Sequence, residues 1–101
     1  MKVTLRPATP ADETAIRACA EAAYTPYIAA IGRRPAPMDA DYTAHIARGE
    51  AHVAVDGAGR LMGYVVFFSE GNTMQLENVG VLPEVTGQGI GKMLVKLCED
   101  E

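Results

Sequence analysis

An α+β domain, with a mixed, mostly antiparallel sheet flanked by helices, is the fold this sequence predicts. Three observations predict it. Apolar residues recur at helical spacing towards both ends of the chain, and strand-like runs separated by turn residues lie between them. A glycine-rich passage then leads from the last of those runs into the final helix. With 101 residues the chain is expected to be a single domain over residues 1–101. A composition of 49% hydrophobic and 22% charged residues suits a packed globule and not a disordered segment.

Residues 2–6 alternate in polarity as a short strand. Thr9 is placed to cap a helix, with Pro10 at its first position and Asp12 at its third, an approximate capping box. Ala15, Ile16, Cys19, Ala20 and Ala23 then share one helical face, which is expected to lie on the sheet. Pro26 interrupts this helix, residues 27–31 add a turn, and Gly32 ends it. Residues 33–37 form a loop rich in proline and charge. A second helix is expected over residues 39–48, with Tyr42, Ile46 and Ala47 inward and Gly49 as its stop.

Residues 51–55 read as a strand and Asp56-Gly57-Ala58-Gly59 as a turn. Residues 61–68 are a continuous apolar run, expected of a central strand covered on both faces. Gly71-Asn72 turns the chain into a last strand, residues 73–81. Its apolar positions change parity, from Met74 and Leu76 to Val79 and Val81. A strand repeats every second residue, so the change calls for one extra residue, a β-bulge near Glu77-Asn78. A strand with one solvated end is the simpler alternative. Met93, Leu94 and Leu97 resume helical spacing, broadened by Val95 and Cys98. The finish on Glu99-Asp100-Glu101 sets negative charge beside the negative end of the helix dipole. Such an ending implies that the helix continues in a longer chain or that its last residues fray.

Between the last strand and the last helix stands Val81-Leu82-Pro83-Glu84-Val85-Thr86-Gly87-Gln88-Gly89-Ile90-Gly91-Lys92. Alternate glycines let a backbone bend tightly and come close to a ligand. The free amides of a helix N-terminus, with the helix dipole behind them, favour an anion. The physical reading is a phosphate or pyrophosphate cradle, and a glycine-rich turn without a ligand is the alternative. A Walker loop is excluded because Met93, not Ser or Thr, follows Lys92. A Rossmann fingerprint is excluded by the alternation of the glycines and their late position.

Order and spacing resemble the acyl-CoA-binding motif of GNAT-type N-acetyltransferases, Q/R-x-x-G-x-G/A, over Thr86-Gly87-Gln88-Gly89-Ile90-Gly91. Leu76-Glu77-Asn78-Val79-Gly80-Val81-Leu82-Pro83 resembles that family's fourth strand and its exit. Leu5-Arg6-Pro7-Ala8-Thr9-Pro10-Ala11-Asp12 resembles its opening. Thr86 departs from the pattern by standing where the family prefers Arg or Gln, which removes one long donor. The resemblance implies a GNAT-like fold cut off after the helix that follows the loop. In that family a later strand, helix and hairpin complete the domain, and the later helix often bears a tyrosine acid. No tyrosine here matches it.

Acetyl-CoA as co-substrate, and acetyl transfer to an amine by direct attack in a ternary complex, are the activity the resemblance implies. The amides of Thr86, Gly87, Gln88, Gly89, Ile90 and Gly91 would hold the pyrophosphate, with Lys92 adding charge. Main-chain groups of Val79 and Val81 would meet the pantetheine arm. The amide of Asn78 or Val79 would face the developing oxyanion. Glu77, aimed by the bulge, is the candidate general base, with a solvent-facing carboxylate as the alternative. Tyr24, Tyr27, Met38 and Tyr42 are candidates for the acceptor pocket, with packing as their alternative role. A non-catalytic acyl-CoA-binding or interaction module, and more remotely another phosphate-ligand binder, are the competing readings.

Net charge is −4 and the nine Lys and Arg are scattered, so a nucleic-acid partner is not expected. No apolar stretch reaches the ~20 residues of a membrane span, so no membrane partner is expected either. Cys19 and Cys98 lie far apart without ligand spacing, which predicts packing thiols, no metal site and a cytoplasmic location. His45 and His52 read as isolated surface or boundary residues. The last strand would form an open sheet edge, and self-association into a homodimer there is an expectation.

Overall fold

Alternation along the strands divides the side chains of one sheet into two sets, and each set is covered by its own helices. The computed structural model describes residues 2–100, so Met1 and the expected acidic terminus at Glu101 lie outside the described residues. The sheet holds β1 (Thr4–Pro7), β2 (Ala51–Val55), β3 (Leu61–Glu70) and β4 (Thr73–Val81), side by side in that order. All described pairings are antiparallel. Between β1 and β2 the chain forms α1 (Glu13–Tyr24), α2 (Ile28–Ile31) and α3 (Tyr42–Ala47); α4 (Ile90–Asp100) follows β4. The expected mostly antiparallel sheet with flanking helices is therefore what the chain forms.

On one face, Ile16, Cys19 and Ala20 of α1 and Tyr42 and Ile46 of α3 pack against Val53, Tyr64 and Val66. On the other, Ile90, Leu94 and Cys98 of α4 pack against Ala54, Met62, Val65 and Phe67. β3 serves both layers, and its residues from Leu61 through Phe67 are buried, as the apolar run predicts. Each such aliphatic or aromatic side chain taken from water contributes roughly 1.5–3 kcal/mol before entropy.

Two glycines set how closely these layers approach. A Cβ on Gly80 would come within 2.5 Å of the Tyr64 ring. One on Gly63 would stand 2.9 Å from the Gly80 carbonyl oxygen and 3.1 Å from Leu94. Bare backbone at Gly80 lets the Tyr64 ring lie against β4, and at Gly63 it lets α4 sit tightly on β3.

The start of α1 follows its sequence signals. Pro10–Asp12 forms a short 3-10 turn ahead of the helix. The Asp12 carboxylate accepts the Thr9 amide at 2.8 Å and is gripped by the Arg6 guanidinium at 2.8 and 3.0 Å. Hydrogen bonding from Arg6, then from Thr9, holds the Asp12 carboxyl down at about 2 against the cost of burial. At the other end, Pro26 diverts the chain through a 3-10 turn, Thr25–Tyr27, into α2. Gly32 then closes α2 with a φ of 72°.

Three expectations need correction. The second helix expected over residues 39–48 begins only at Tyr42, because Ala40 is extended and the Asp41 carboxylate caps α3 by accepting the Ala44 amide at 3.1 Å. Residues Ala36–Asp39 form a separate 3-10 turn. Ala15 and Ala47 are exposed, since α1 and the short α3 bury narrower stripes than expected. In α4 the buried row runs Ile90, Leu94, Cys98, and Met93 on its shoulder stays 36% exposed.

The bulge is where the parity change puts it. Asn78 lies opposite Val66, and the next pair along is Leu76 with Phe67, which leaves Glu77 without a partner. Met74 and Leu76 beyond it remain partly exposed, so the change of parity reports the register and not a buried face there. A further irregularity between Ala54 and Val55 of β2 had no sequence signal.

Gly80→Ala is expected to cost about 1–3 kcal/mol in urea unfolding, because the Tyr64 ring must move to admit the methyl group. Asp12 supplies an acid-sensitive element. A carboxyl held low in the fold stabilises it above an unfolded pKa of about 3.9, and that stability is lost as pH falls through about 2. Asp12→Ala should cost about 1 kcal/mol at neutral pH and flatten this part of the acid unfolding curve.

Candidate active site

The glycine loop is pinned at both ends. The Leu82 amide donates to the Met62 carbonyl at 2.9 Å, and Val85 of the 3-10 turn Pro83–Val85 is buried beneath α4. Gly87 and Gly89 have φ of 86° and 80°, in the left-handed region that glycine adopts without strain. Nothing lies within 4 Å of a Cβ built on either, so the loop faces open space. Ile90 is buried and fixes the first turn of α4 to the sheet.

Main-chain donors accumulate here. Among the described residues, the amides of Gly87, Gln88, Gly89, Ile90, Gly91 and Lys92 have no protein acceptor, and the first engaged one is Met93, which donates to the Gly89 carbonyl at 3.1 Å. They surround a recess of about 260 Å³ lined by Val81, Val85, Thr86, Gly87, Gly89, Ile90, Gly91 and Lys92. Thr86 needs correction as a donor. Its amide and its hydroxyl both donate to the Pro83 carbonyl, at 3.4 and 2.9 Å, so it supplies wall only. Gln88 projects outward, and its side chain is exposed.

Strand geometry sorts the main-chain groups of β4. Antiparallel pairs alternate between hydrogen-bonded and non-bonded residues. Because the Leu82 amide reaches across to Met62, alternation turns Gly80 and Asn78 towards β3 and Val81 and Val79 towards the open side. The Tyr24 hydroxyl confirms the direction by donating to the Val79 carbonyl at 2.7 Å. Of the two amides considered for an oxyanion, Val79 therefore faces the cleft and Asn78 faces the neighbouring strand.

A second recess, of about 290 Å³, opens at the bulge and is lined by Glu77, Asn78, Pro37, Asp41 and His45 together with Ala36 and Ala40. Glu77 is exposed in it, and no lysine or arginine lines it. His45, read from sequence as isolated, forms part of this wall, with Nδ1 2.8 Å from Glu50. The sequence signal for it is the spacing of Asp41 and His45, which sets the capping residue of α3 and a residue of the helix about one turn apart. Asn78 is buried beneath the recess, with Oδ1 3.5 Å from the Tyr42 hydroxyl.

The Acetyltransferase (GNAT) family model matches residues 15–101. The chain belongs to the GNAT acetyltransferase family. Solved structures share its fold at low identity. The PaiA N-acetyltransferase of Thermoplasma acidophilum, in complex with coenzyme A, matches with a TM-score of 0.82 and 18% identity, over 99% of this chain and 71% of that one. A GNAT family acetyltransferase of Brucella melitensis, in complex with acetyl-CoA, matches at 0.75 and 23%, over 98% and 67%. The N-acetylglutamate synthase of Neisseria gonorrhoeae, complexed with coenzyme A and N-acetyl-glutamate, matches at 0.71 and 20%, over 99% and 22%. No curated protein sequence matches the chain.

In this GNAT domain the four expected acceptor residues are split. Met38 and Tyr42 are buried in the core, with Tyr42 donating to the Pro37 carbonyl and standing 3.0 Å from the Tyr64 hydroxyl. Tyr27 is exposed, its ring centroid 6.2 Å from that of Tyr24. Tyr24 alone of the four reaches the β4 edge. Cys19 and Cys98 are buried in opposite layers, and burial pushes the Cys19 thiol up to about 12. Among the described residues no cluster of His, Cys, Asp and Glu is arranged to hold a metal, and no helix is long and apolar enough to cross a membrane.

Gly89→Ala should destabilise the domain by about 1–2 kcal/mol in urea unfolding, through its positive φ alone, since the added methyl meets no neighbour.

Proposed function

We propose that this domain binds acetyl-CoA and transfers its acetyl group to an amine in a ternary complex. The observation that carries the reading is the row of unengaged amides from Gly87 to Lys92 at the mouth of a recess. Donors left free at a helix N-terminus and open to solvent are available to an anion, and a diphosphate supplies acceptors with the favourable charge. Coenzyme A or acetyl-CoA on the same fold in the Thermoplasma and Brucella proteins supports the choice of ligand.

With the diphosphate on the loop, the pantetheine arm runs along the open side of β4 past Val81 and Val79. The Val79 amide is then the donor for the thioester oxygen as negative charge grows on it. Glu77, in the recess at the bulge, takes a proton from the incoming ammonium so that a neutral amine attacks. Asp41 and Glu77 both line that recess without a lysine or arginine, which favours a cationic amine over an acceptor that brings a carboxylate. A homodimer through the β4 edge would use the same main-chain groups as the pantetheine arm, so here the ligand takes precedence over self-association. A cytoplasmic location is part of the same reading.

Calorimetry with acetyl-CoA tests binding, and thiol release with a panel of amines tests turnover. Gly89→Asp, which adds a negative charge where the diphosphate sits, should abolish binding. Glu77→Gln should keep acetyl-CoA affinity and lower kcat by roughly 10²–10⁴-fold. Binding without release for any amine would favour the non-catalytic module, and no binding of acetyl-CoA would defeat both.

A further inference from the structure

The end of α3 folds a carboxylate back onto the helix. Gly49 turns the chain at a φ of 73°, and the Glu50 amide then donates to the His45 carbonyl at 2.9 Å. The Glu50 carbonyl accepts the Phe67 amide at 3.0 Å, which ties the same residue to β3. Held from both sides, Glu50 sets Oε1 2.8 Å from His45 Nδ1, with the two side chains 18% and 12% exposed. Arg48 Nε donates to the other carboxylate oxygen at 3.2 Å. Hydrogen bonding from His45, against the cost of burial and with help from Arg48, holds the Glu50 carboxyl below its ordinary range, so it is ionised at neutral pH. Two acceptors do not meet at this distance without a hydrogen between them. The ring proton is therefore on Nδ1, and the lone pair is on Nε2.

The two ring nitrogens bond in diverging directions, so Nε2 points away from Glu50. Glu50 is not part of the wall of the recess at the bulge, whereas His45 is, beside Asp41, Glu77 and Asn78. Among the described residues no protein group bonds to Nε2, and it is not sealed from solvent. Its lone pair opens on the recess. Glu50 thus fixes the tautomer from behind while the free nitrogen faces the space assigned to the acceptor amine.

A primary ammonium arrives with three hydrogens on nitrogen and ends with one in the amide, so two protons must leave it. The Glu77 carboxylate takes one before attack. We propose that His45 Nε2 takes the other, an assignment that rests on the acetyl-transfer reading above. Attack by the neutral amine forms the C–N bond, moves the carbonyl pair onto oxygen and leaves nitrogen positively charged with two hydrogens. One of these passes to Nε2 as the returning pair breaks the C–S bond, and sulfur leaves with the bonding electrons. The Glu50 carboxylate meets the charge of the imidazolium through Nδ1. Glu77 and His45 return their protons to water, and the thiolate takes one back. An ammonium and a thioester have become an amide, a thiol and one free proton, with no further reactant. A recess of about 290 Å³ is small enough for one nitrogen to reach Glu77 and His45 directly or through a water.

Two measurements test the assignment. Long-range proton–nitrogen NMR of the unliganded chain, at about pH 8.5 where free imidazole is neutral, should show His45 protonated on Nδ1 and bare on Nε2. A hydrogen on Nε2 overturns it. With the amine of the panel that gives the fastest thiol release, His45→Ala should lower kcat roughly 10²-fold, keep wild-type affinity for CoA and regain activity when imidazole is added to the buffer. Imidazole should leave the wild type unchanged. An undiminished kcat, or a loss that imidazole does not restore, overturns the assignment and leaves the transfer reading intact; a matching loss of CoA affinity would make His45 a structural prop and overturns it too. A wild type that binds no acetyl-CoA, or binds it and releases no thiol with any amine, overturns the transfer reading and this assignment together.

Discussion

β4 carries one residue more than the strand beside it, and that slip at Glu77 determines where every later main-chain group points. Past the bulge, Asn78 and Gly80 turn to β3 while Val79 and Val81 turn outward. The Tyr64 ring can lie over β4 at Gly80 only because that residue lacks a Cβ, whose space the ring occupies. The same slip sends the Glu77 carboxylate into the recess by Asp41 and His45 instead of along the solvated edge. A register shift in one hairpin thus separates a main-chain track on the strand's open side from an acidic recess at its bend.

The cradle at the end of that track is held by packing and not by its own hydrogen bonds. Ile90, Leu94 and Cys98 fix α4 to the sheet, and Gly63 lets the helix approach closely. A helix start anchored this way keeps its amides aimed while leaving them unpaired, since the first turn of any helix has no internal acceptors for them. Gly87 and Gly89 remove the side chains that would otherwise stand between those amides and a ligand. Rigidity comes from the apolar row and access from the glycines, so the two can be perturbed separately.

Much of this was legible in the residues. The apolar run of β3, the turn at Asp56 to Gly59, the stop at Gly32 and the bulge at Glu77 each follow from a local rule that the tertiary structure leaves intact. What the sequence did not reveal depends on neighbours distant in the chain. Ala15 and Ala47 are small enough to sit on either side of a helix, so periodicity could not say which stripe is buried. Thr86 has two donors in sequence, but the Pro83 carbonyl, three residues earlier, takes both of them in the fold. His45 and Tyr24 acquire meaning only when α3 and α1 are laid against β4, because their partners lie across the fold.

If the loop amides, and not some other surface, receive the diphosphate, amide-resolved NMR during titration with CoA will register it residue by residue. The largest shifts are expected at Gly87 through Lys92, with smaller ones at Val79 and Val81 and little change along β1 and β2. Strong shifts elsewhere, with Gly87 to Lys92 unmoved at saturation, would place the diphosphate on another surface.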